Sequence, residues 1–319
     1  MNEEFLINNY LKKLSRNNPP SLKLNDDVFF DKNKKLVISV DTYNEGIHFL
    51  NFKKPELIIR KIIRSSISDI YAKGVKPNYF FLAGSGNKKH FTKKNMSLIN
   101  KSLSSEQNRF NIKLSGGDTA SSKNLSFTVM SLGYSNKIVY RNKAKNGDDI
   151  YITGNIGDSY IGLKALKKNI KLRPNQKKYF IDKYYSPNLP IKFSPHLYKI
   201  ANCSMDISDG LAIDMNKLIN KQKLGYLIDI NKIPMSRELE QLIKQKKLKK
   251  LDYLFNGDDY QILFTASKSK RAYIKLLSSK MNQKISIIGQ INTKSKNYLL
   301  DDRKIPIKYL KYQGYSHKF

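Results

Sequence analysis

The acidic residues of this chain are few, and they gather where short motifs could do chemistry. Against 59 Lys and Arg stand only 26 Asp and Glu in 319 residues. The aspartates collect in Asp26-Asp27, Asp41, Asp69, Gly116-Gly117-Asp118-Thr119, Asp206-Ile207-Ser208-Asp209-Gly210 and Asp258-Asp259. Aspartate holds its carboxylate close to the backbone, and Mg2+ takes one or two carboxylates together with water and phosphate oxygens. Several carboxylates brought together repel one another unless cations stand between them. Metal ions bridging a polyphosphate would resolve that conflict. Gly116 and Gly117 would let a phosphate approach backbone N–H groups, and Asp41 ends an apolar strand, where α/β proteins place ligands. Each motif alone also has a plain structural reading: Asp-Asp and Asp-Gly steps make turns, and Ser208 or Asp209 could cap the next helix. Together the spacing points to metal-assisted phosphate chemistry.

Other chemistries find less support. No Gly-x-x-x-x-Gly-Lys-Ser/Thr loop, protein-kinase catalytic loop or Asp-Phe-Gly occurs. Gly84-Ser85-Gly86-Asn87-Lys88 lacks the rest of either glycine fingerprint and reads as a loop. The histidines are His48, His90, His196 and His317, with no pair at zinc-ligand spacing, and the single cysteine is Cys203. Cys203 sits beside an apolar run and reads as core. His48, seven residues past Asp41, is the histidine nearest the acidic constellation.

The elements that must position these groups alternate between strand and helix. Strands are expected at Lys35–Asp41, Tyr79–Ala83, Ile112–Leu114, Leu125–Tyr134, Asp149–Thr153, Tyr226–Ile230, Tyr260–Thr265 and Ile285–Ile291. Helices are expected at Glu56–Lys73, which stops at Gly74, at Ser97–Phe110, Ser159–Lys168, from Gly210, near Leu239 and at Lys270–Met281. A connection containing Pro187, Pro190 and Pro195 separates the third helix from the fourth. Such alternation indicates α/β or α+β layers. The least compact stretch is Arg141–Gly147, which divides the chain into an N-terminal domain, 1–141, and a C-terminal domain, 142–319.

Composition bounds the rest. The net charge of +33 suggests nucleic acid at first sight. The excess is mostly lysine spread from Lys12 to Lys318, alongside abundant Asn, Ile, Tyr and Phe, the slant of A/T-rich codons. A dedicated binder concentrates its charge and favours arginine, so a basic nucleic-acid-binding protein is the less favoured alternative. Nothing approaches the roughly 18 consecutive apolar residues of a membrane span. The start, Met-Asn-Glu-Glu-Phe, lacks the basic and apolar run of a secretory signal. The expectation is a cytoplasmic protein without membrane contact.

Taken in order, the motifs resemble the thiamine-monophosphate kinase family, of the superfamily that includes aminoimidazole ribonucleotide synthetase. The resemblance runs through Asp26-Asp27, Ser39-Val40-Asp41-Thr42, Glu45-Gly46-Ile47-His48-Phe49, Ser66-Ile67-Ser68-Asp69, Gly116-Gly117-Asp118-Thr119, Gly157-Asp158-Ser159, Met205 through Leu211, Gly257-Asp258-Asp259-Tyr260 and Gly314-Tyr315-Ser316-His317. It implies a two-domain α/β fold whose N-terminal sheet pairs across a homodimer. It further implies ATP-dependent phosphorylation of thiamine monophosphate to thiamine diphosphate, by direct transfer with several Mg2+ ions and no phosphoenzyme. By position, Asp27, Ser39, Val40, Asp41, Asp69, Asp118, Asp206 and Asp209 would hold the metals. Phe110, Gly117, Asp118, Arg141 and Ser208 would serve ATP, and His48, Asp258 and Tyr315 would meet thiamine monophosphate. Another ATP-using enzyme of the superfamily, similar to aminoimidazole ribonucleotide synthetase, is the nearest alternative. His48, Asp258-Asp259-Tyr260 and Gly314-Tyr315 favour the thiamine branch. The chain departs from the family pattern at Val40, usually a hydroxyl residue, at Asn25 in place of Gly, at Asn256 in place of Gly, and at Asp258 in place of Glu.

Overall fold

The computed structural model describes residues 3–253, 256–293, 296–301 and 305–307. Its first half is built on β1 (Phe29–Asp31), β2 (Leu36–Asn44), β3 (Pro77–Gly86), β4 (Lys113–Leu114), β5 (Thr119–Ser121) and β6 (Ser126–Tyr134). They form one sheet in the order β1-β2-β6-β3-β4, with β5 also against β3. Pairing is antiparallel except where β4 and β5 join β3. Helices Pro55–Ala72 and Lys93–Phe110 cover one face. Ile58, Ile59, Ile62, Ile63 and Ile67 recur at helical spacing and bury against Phe80, Phe127 and Val129 of the sheet. The other face is open and carries exposed apolar side chains: Val40, Tyr79 and Tyr134 stand on it.

The second half is built on β7 (Asp149–Thr153), β8 (Cys203–Asp206), β9 (Gly225–Asp229), β10 (Ile262–Ala266), β11 (Ile285–Asn292), β12 (Asn297–Leu300) and β13 (Pro306–Ile307). Their order is β13-β12-β9-β11-β7-β10-β8. The helix Leu211–Ile219 packs its Leu211, Met215 and Leu218 into the core beneath β8 and β9. The α/β architecture expected from the alternation is therefore present, with sheets that are mixed and largely antiparallel.

The two halves share their apolar interior. Tyr184, Tyr185 and Leu189 join the cluster under the first sheet, while Ala72 and Val139 join the cluster under the second. Tyr184 and Tyr185 come from a helix, Pro174–Tyr185, that the sequence pattern does not announce. Its buried residues are only Phe180, Tyr184 and Tyr185 among lysines and asparagines, too sparse a stripe to signal a period. A second difference is that Gly84 and Gly86 continue β3 instead of forming a loop. The reason is steric: a Cβ at Gly84 would meet Phe127 at 3.3 Å, and one at Gly86 would meet Leu125 and Phe91 at 3.0 Å.

One buried ion pair ties the two helices of the first half. Arg64 donates from Nε to Glu106 Oε2 at 2.7 Å and from Nη2 to Oε1 at 3.0 Å, with Nη1 on the Pro187 carbonyl at 3.2 Å. Removing one partner strands the other charge in the interior. Glu106→Ala should therefore lower unfolding free energy by about 3 kcal/mol or more, read from urea denaturation; a midpoint unchanged from the parent would refute this account.

Candidate active site

Three segments converge to make an acidic wall. On β2 the side chains alternate, and Ser39, Asp41 and Tyr43 face the Pro55–Ala72 helix. Ser39 donates its hydroxyl to Asp69 Oδ2 at 2.6 Å. The neighbouring helix residue, Ser68, points the other way and donates to Asp206 Oδ2 at 2.5 Å, at the end of β8. Consecutive residues of one helix thus reach both sheets. Asp27, in the turn before β1, completes the set: oxygens of Asp27, Asp69 and Asp206 all lie within 4.8 Å of one another. Such a group is suited to hold a divalent cation.

Burial and mutual repulsion shape the electrostatics. The Asp41 carboxyl is pushed up to about 7, first by desolvation and then by the charge of Asp206, with a hydrogen bond from Tyr43 opposing. Asp69 is raised well above the ordinary carboxylate range by burial, Asp206 and Asp41. Asp206 is raised by burial, against the opposing effects of Ser68, Arg141 and Lys73. Those two cations sit at the Asp27 end. Lys73 Nζ, wholly buried, lies 2.6 Å from both Asp26 Oδ1 and Asp27 Oδ2 and donates to the Ser204 carbonyl at 2.8 Å. Arg141 donates its Nε to Asp27 Oδ2 at 3.1 Å, its Nη2 also pairs with Asp27, and its backbone N–H donates to Asp26 Oδ2 at 3.0 Å.

A second wall holds the other candidates. Asp209 pairs with Lys217, and the Asp209 and Gly210 N–H groups both donate to Asp214 Oδ2 at 3.0 Å, fixing the start of the Leu211–Ile219 helix. The Ser208 carbonyl accepts from Asp258 N at 2.9 Å. This approach requires Gly257, because a Cβ there would stand 1.6 Å from the Ser208 oxygen. Asp258 takes Lys61 at 2.7 Å and the Tyr260 hydroxyl at 2.8 Å on the same oxygen, Oδ1. It also borders a polar cavity of about 240 Å3 lined by Asp158, Ser159, Lys183 and Asn188. His48 accepts the Asn44 N–H on Nδ1 at 2.9 Å, which leaves the ring proton to Nε2.

The remaining expected residues fall in four places. Val40 points away from Ser39 and Asp41, 59% exposed on the open face, so only its backbone can serve the acidic side. Asp118 is exposed at the entry to β5 and is not among the three converging carboxylates. Gly117 presses on β3, where a Cβ would lie 1.9 Å from the Leu82 oxygen. Phe110 ends its helix 4% exposed, packed among Tyr71, Arg64 and Arg109, inside the core and not on a surface. Tyr315 lies outside the described residues. Sequence reasoning did not single out Lys61, Lys73, Tyr43, Asp214 or Lys217, and it named Ser68 only as a motif neighbour of Asp69. Three lysines among 59 Lys and Arg carry no signal of their own; only the Ser68-Asp69 step hinted that the Pro55–Ala72 helix faces the site.

Known proteins resemble this chain along nearly its whole length. Family models match in order: AIR synthase related protein, N-terminal domain, over residues 25–135, and AIR synthase related protein, C-terminal domain, over residues 145–302. A thiamine-monophosphate kinase of Buchnera aphidicola subsp. Acyrthosiphon pisum is 33% identical, over 98% of this chain and 97% of that protein. The corresponding protein of Buchnera aphidicola subsp. Schizaphis graminum is 32% identical over 99% and 98%. Among solved structures, AaThiL complexed with AMPPCP and TMP superposes with a TM-score of 0.86 at 26% identity, covering 99% of this chain and 97% of that one. With a relative one-third identical along nearly its whole length and both domains matched in order, the chain is a kinase that belongs to the thiamine-monophosphate kinase family.

Proposed function

We propose that this kinase transfers the γ-phosphoryl of ATP to the phosphate of thiamine monophosphate, giving thiamine diphosphate and ADP. The observation that carries the reading is the convergence of Asp27, Asp69 and Asp206 beside Asp41. Cys203, the single thiol, is buried with its pKa pushed up to about 12. The likeness to AaThiL complexed with AMPPCP and TMP supports the pairing of donor and acceptor.

In this reading an oxygen of the acceptor phosphate attacks the γ-phosphorus in line, and the bond to the β–γ bridging oxygen breaks. Asp27, Ser39, the Val40 backbone, Asp41, Asp69, Asp118, Asp206 and Asp209 hold several Mg2+ ions. When bound, Mg2+ neutralises the phosphates and relieves the repulsion among the carboxylates. Gly117 and Asp118 receive ATP by backbone and carboxylate, Arg141 and Ser208 flank it, and Phe110 supports that side from within the core. His48, Asp258 and Tyr315 orient thiamine monophosphate. Positioning and charge neutralisation suffice for such a transfer, without a strong base. The division at 141/142, a cytoplasmic location and a homodimer belong to the same reading. The dimer is supported by the open sheet face on which Val40, Tyr79 and Tyr134 stand exposed together. No helix among the described residues is long and apolar enough to cross a membrane.

Assays with ATP and Mg2+ offering thiamine monophosphate, free thiamine and aminoimidazole precursors in parallel should yield product only from the monophosphate. Product from free thiamine alone would overturn the acceptor assignment. Asp209→Asn should abolish turnover, at least a hundredfold, in a protein whose circular dichroism is unchanged; near-normal rates would remove Asp209 from the metal set. A pH effect follows from Asp41. Its pKa is about 7 when folded against roughly 4 when unfolded. The folded state therefore binds that proton more tightly, and the group's contribution to stability, full below about pH 4, is lost as pH rises through 7. In EDTA the protein should accordingly melt lower at pH 8 than at pH 5.5; Asp41→Asn should narrow the gap, and Mg2+ should raise the pH 8 melting temperature of the parent more than that of the variant. Finally, Val40→Glu on the open face should shift the protein to monomer in light scattering, and an unchanged mass would remove that face from the dimer.

A further inference from the structure

Lys61 lies where the two candidate walls meet, and its environment is unusual for a lysine. It belongs to the Pro55–Ala72 helix, and its side chain is 3% exposed. A lysine ammonium without a partner at such depth is costly, and burial alone pulls its proton affinity down, with Asp258 opposing. Three groups answer it. Asp258 Oδ1 lies 2.7 Å from Nζ. The Tyr184 ring lies beneath, its centroid 3.7 Å from Nζ, and the Tyr260 ring stands at 6.0 Å. The attraction of an ammonium for an aromatic face strengthens when both are withdrawn from water.

Both neighbours lead on to groups that face the proposed acceptor. Tyr184 donates its hydroxyl to the His48 carbonyl at 3.2 Å. Asp258 has a positive φ of 68°, a left-handed backbone that a non-glycine residue keeps only when its surroundings hold it. Here the Ser208 carbonyl grips its N–H, and Lys61 with the Tyr260 hydroxyl grips its Oδ1. Oδ1 is therefore committed, while the side chain as a whole stays 27% exposed and borders the polar cavity. One ammonium in the N-terminal half thus fixes a carboxylate in the C-terminal half and, through Tyr184, the backbone of His48.

We propose that Lys61 is a positioning residue for the acceptor: it holds Asp258 and the His48 segment at the separation that receives the thiamine half of thiamine monophosphate. This rests on the reading of His48 and Asp258 as acceptor contacts. Pairing also decides the character of the contact. Neutralised by Lys61, Asp258 offers Oδ2 as a directed acceptor for an amine such as that of an aminopyrimidine, in place of a bare charge that would take any cation.

The test is steady-state kinetics on Lys61→Met, which keeps the length of the side chain and removes its charge. KM for thiamine monophosphate should rise about tenfold or more, KM for ATP should stay within twofold and kcat within threefold. Combined with Asp258→Asn, the effects on KM should be less than the product of the two single changes, since both act through one pair. An unchanged acceptor KM, a parallel rise in KM for ATP, or fully multiplicative effects would each overturn the proposal. If Lys61→Met does not fold, Lys61→Arg carries the measurement: the displaced charge should raise the acceptor KM alone, and a parental value would overturn the proposal. Failure of the parent enzyme to phosphorylate thiamine monophosphate at all would sink the functional reading itself, an outcome distinct from a parent that turns over and a Lys61 variant that matches it.

Discussion

Everything at the centre of this protein follows from carboxylates that are held together out of water. Burial raises the proton affinity of Asp41, Asp69 and Asp206; Asp206 raises that of the other two further, and Asp41 adds to that of Asp69. Such a cluster does not assemble unaided, and the surrounding structure is arranged to hold it. Ser39 and Ser68 lend hydroxyls, and Lys73 and Arg141 supply positive charge at the Asp27 end. Lys73 spans the turn before β1, the end of the Pro55–Ala72 helix and the Ser204 carbonyl of β8. That single ammonium anchors three segments from both halves of the chain. The residual excess of negative charge is what gives the site its appetite for cations.

The motifs were legible in the sequence because acids are scarce in it, so each aspartate beside a glycine or hydroxyl residue stood out. The strand through Asp41 and the helix stopping at Gly74 could be read from apolar spacing; the helix lies within one residue of its expected bounds, and the strand starts within one residue but runs three further, to Asn44. What was not legible were the partners. Lys61 and Lys73 are chemically specific here only because the fold buries them, and nothing local separates a buried lysine from the many on the surface. The Pro174–Tyr185 helix escaped for a related reason: its apolar stripe is three residues wide, and its value arises from Tyr184 meeting Lys61 across the structure. Phe110 shows the converse. A motif position fixed its number, but burial fixed its surroundings as core.

The net charge of +33 takes on a narrower meaning in this light. Few of those cations enter the interior; Lys61, Lys73, Arg64 and Arg141 do, each against named carboxylates. The rest form a positive exterior around an acidic centre. A field of that sign draws polyphosphates inward from solution, where the acidic centre then demands cations alongside them. Exterior and interior thus favour a phosphate ligand that arrives already complexed with metal.

The alternation along β2 has a consequence for how the protein tolerates change. Ser39 and Asp41 face the acids while Val40, between them, faces the open sheet surface, and nine residue pairs with β6 keep that assignment. A slip of one step in the ladder would exchange the two sets, placing Val40 in the acidic cleft and Asp41 on the apolar face. Single substitutions in this strand leave the bookkeeping of faces intact, whereas one inserted or deleted residue before it reverses every side chain at once. The strand is therefore permissive to spelling and intolerant of length.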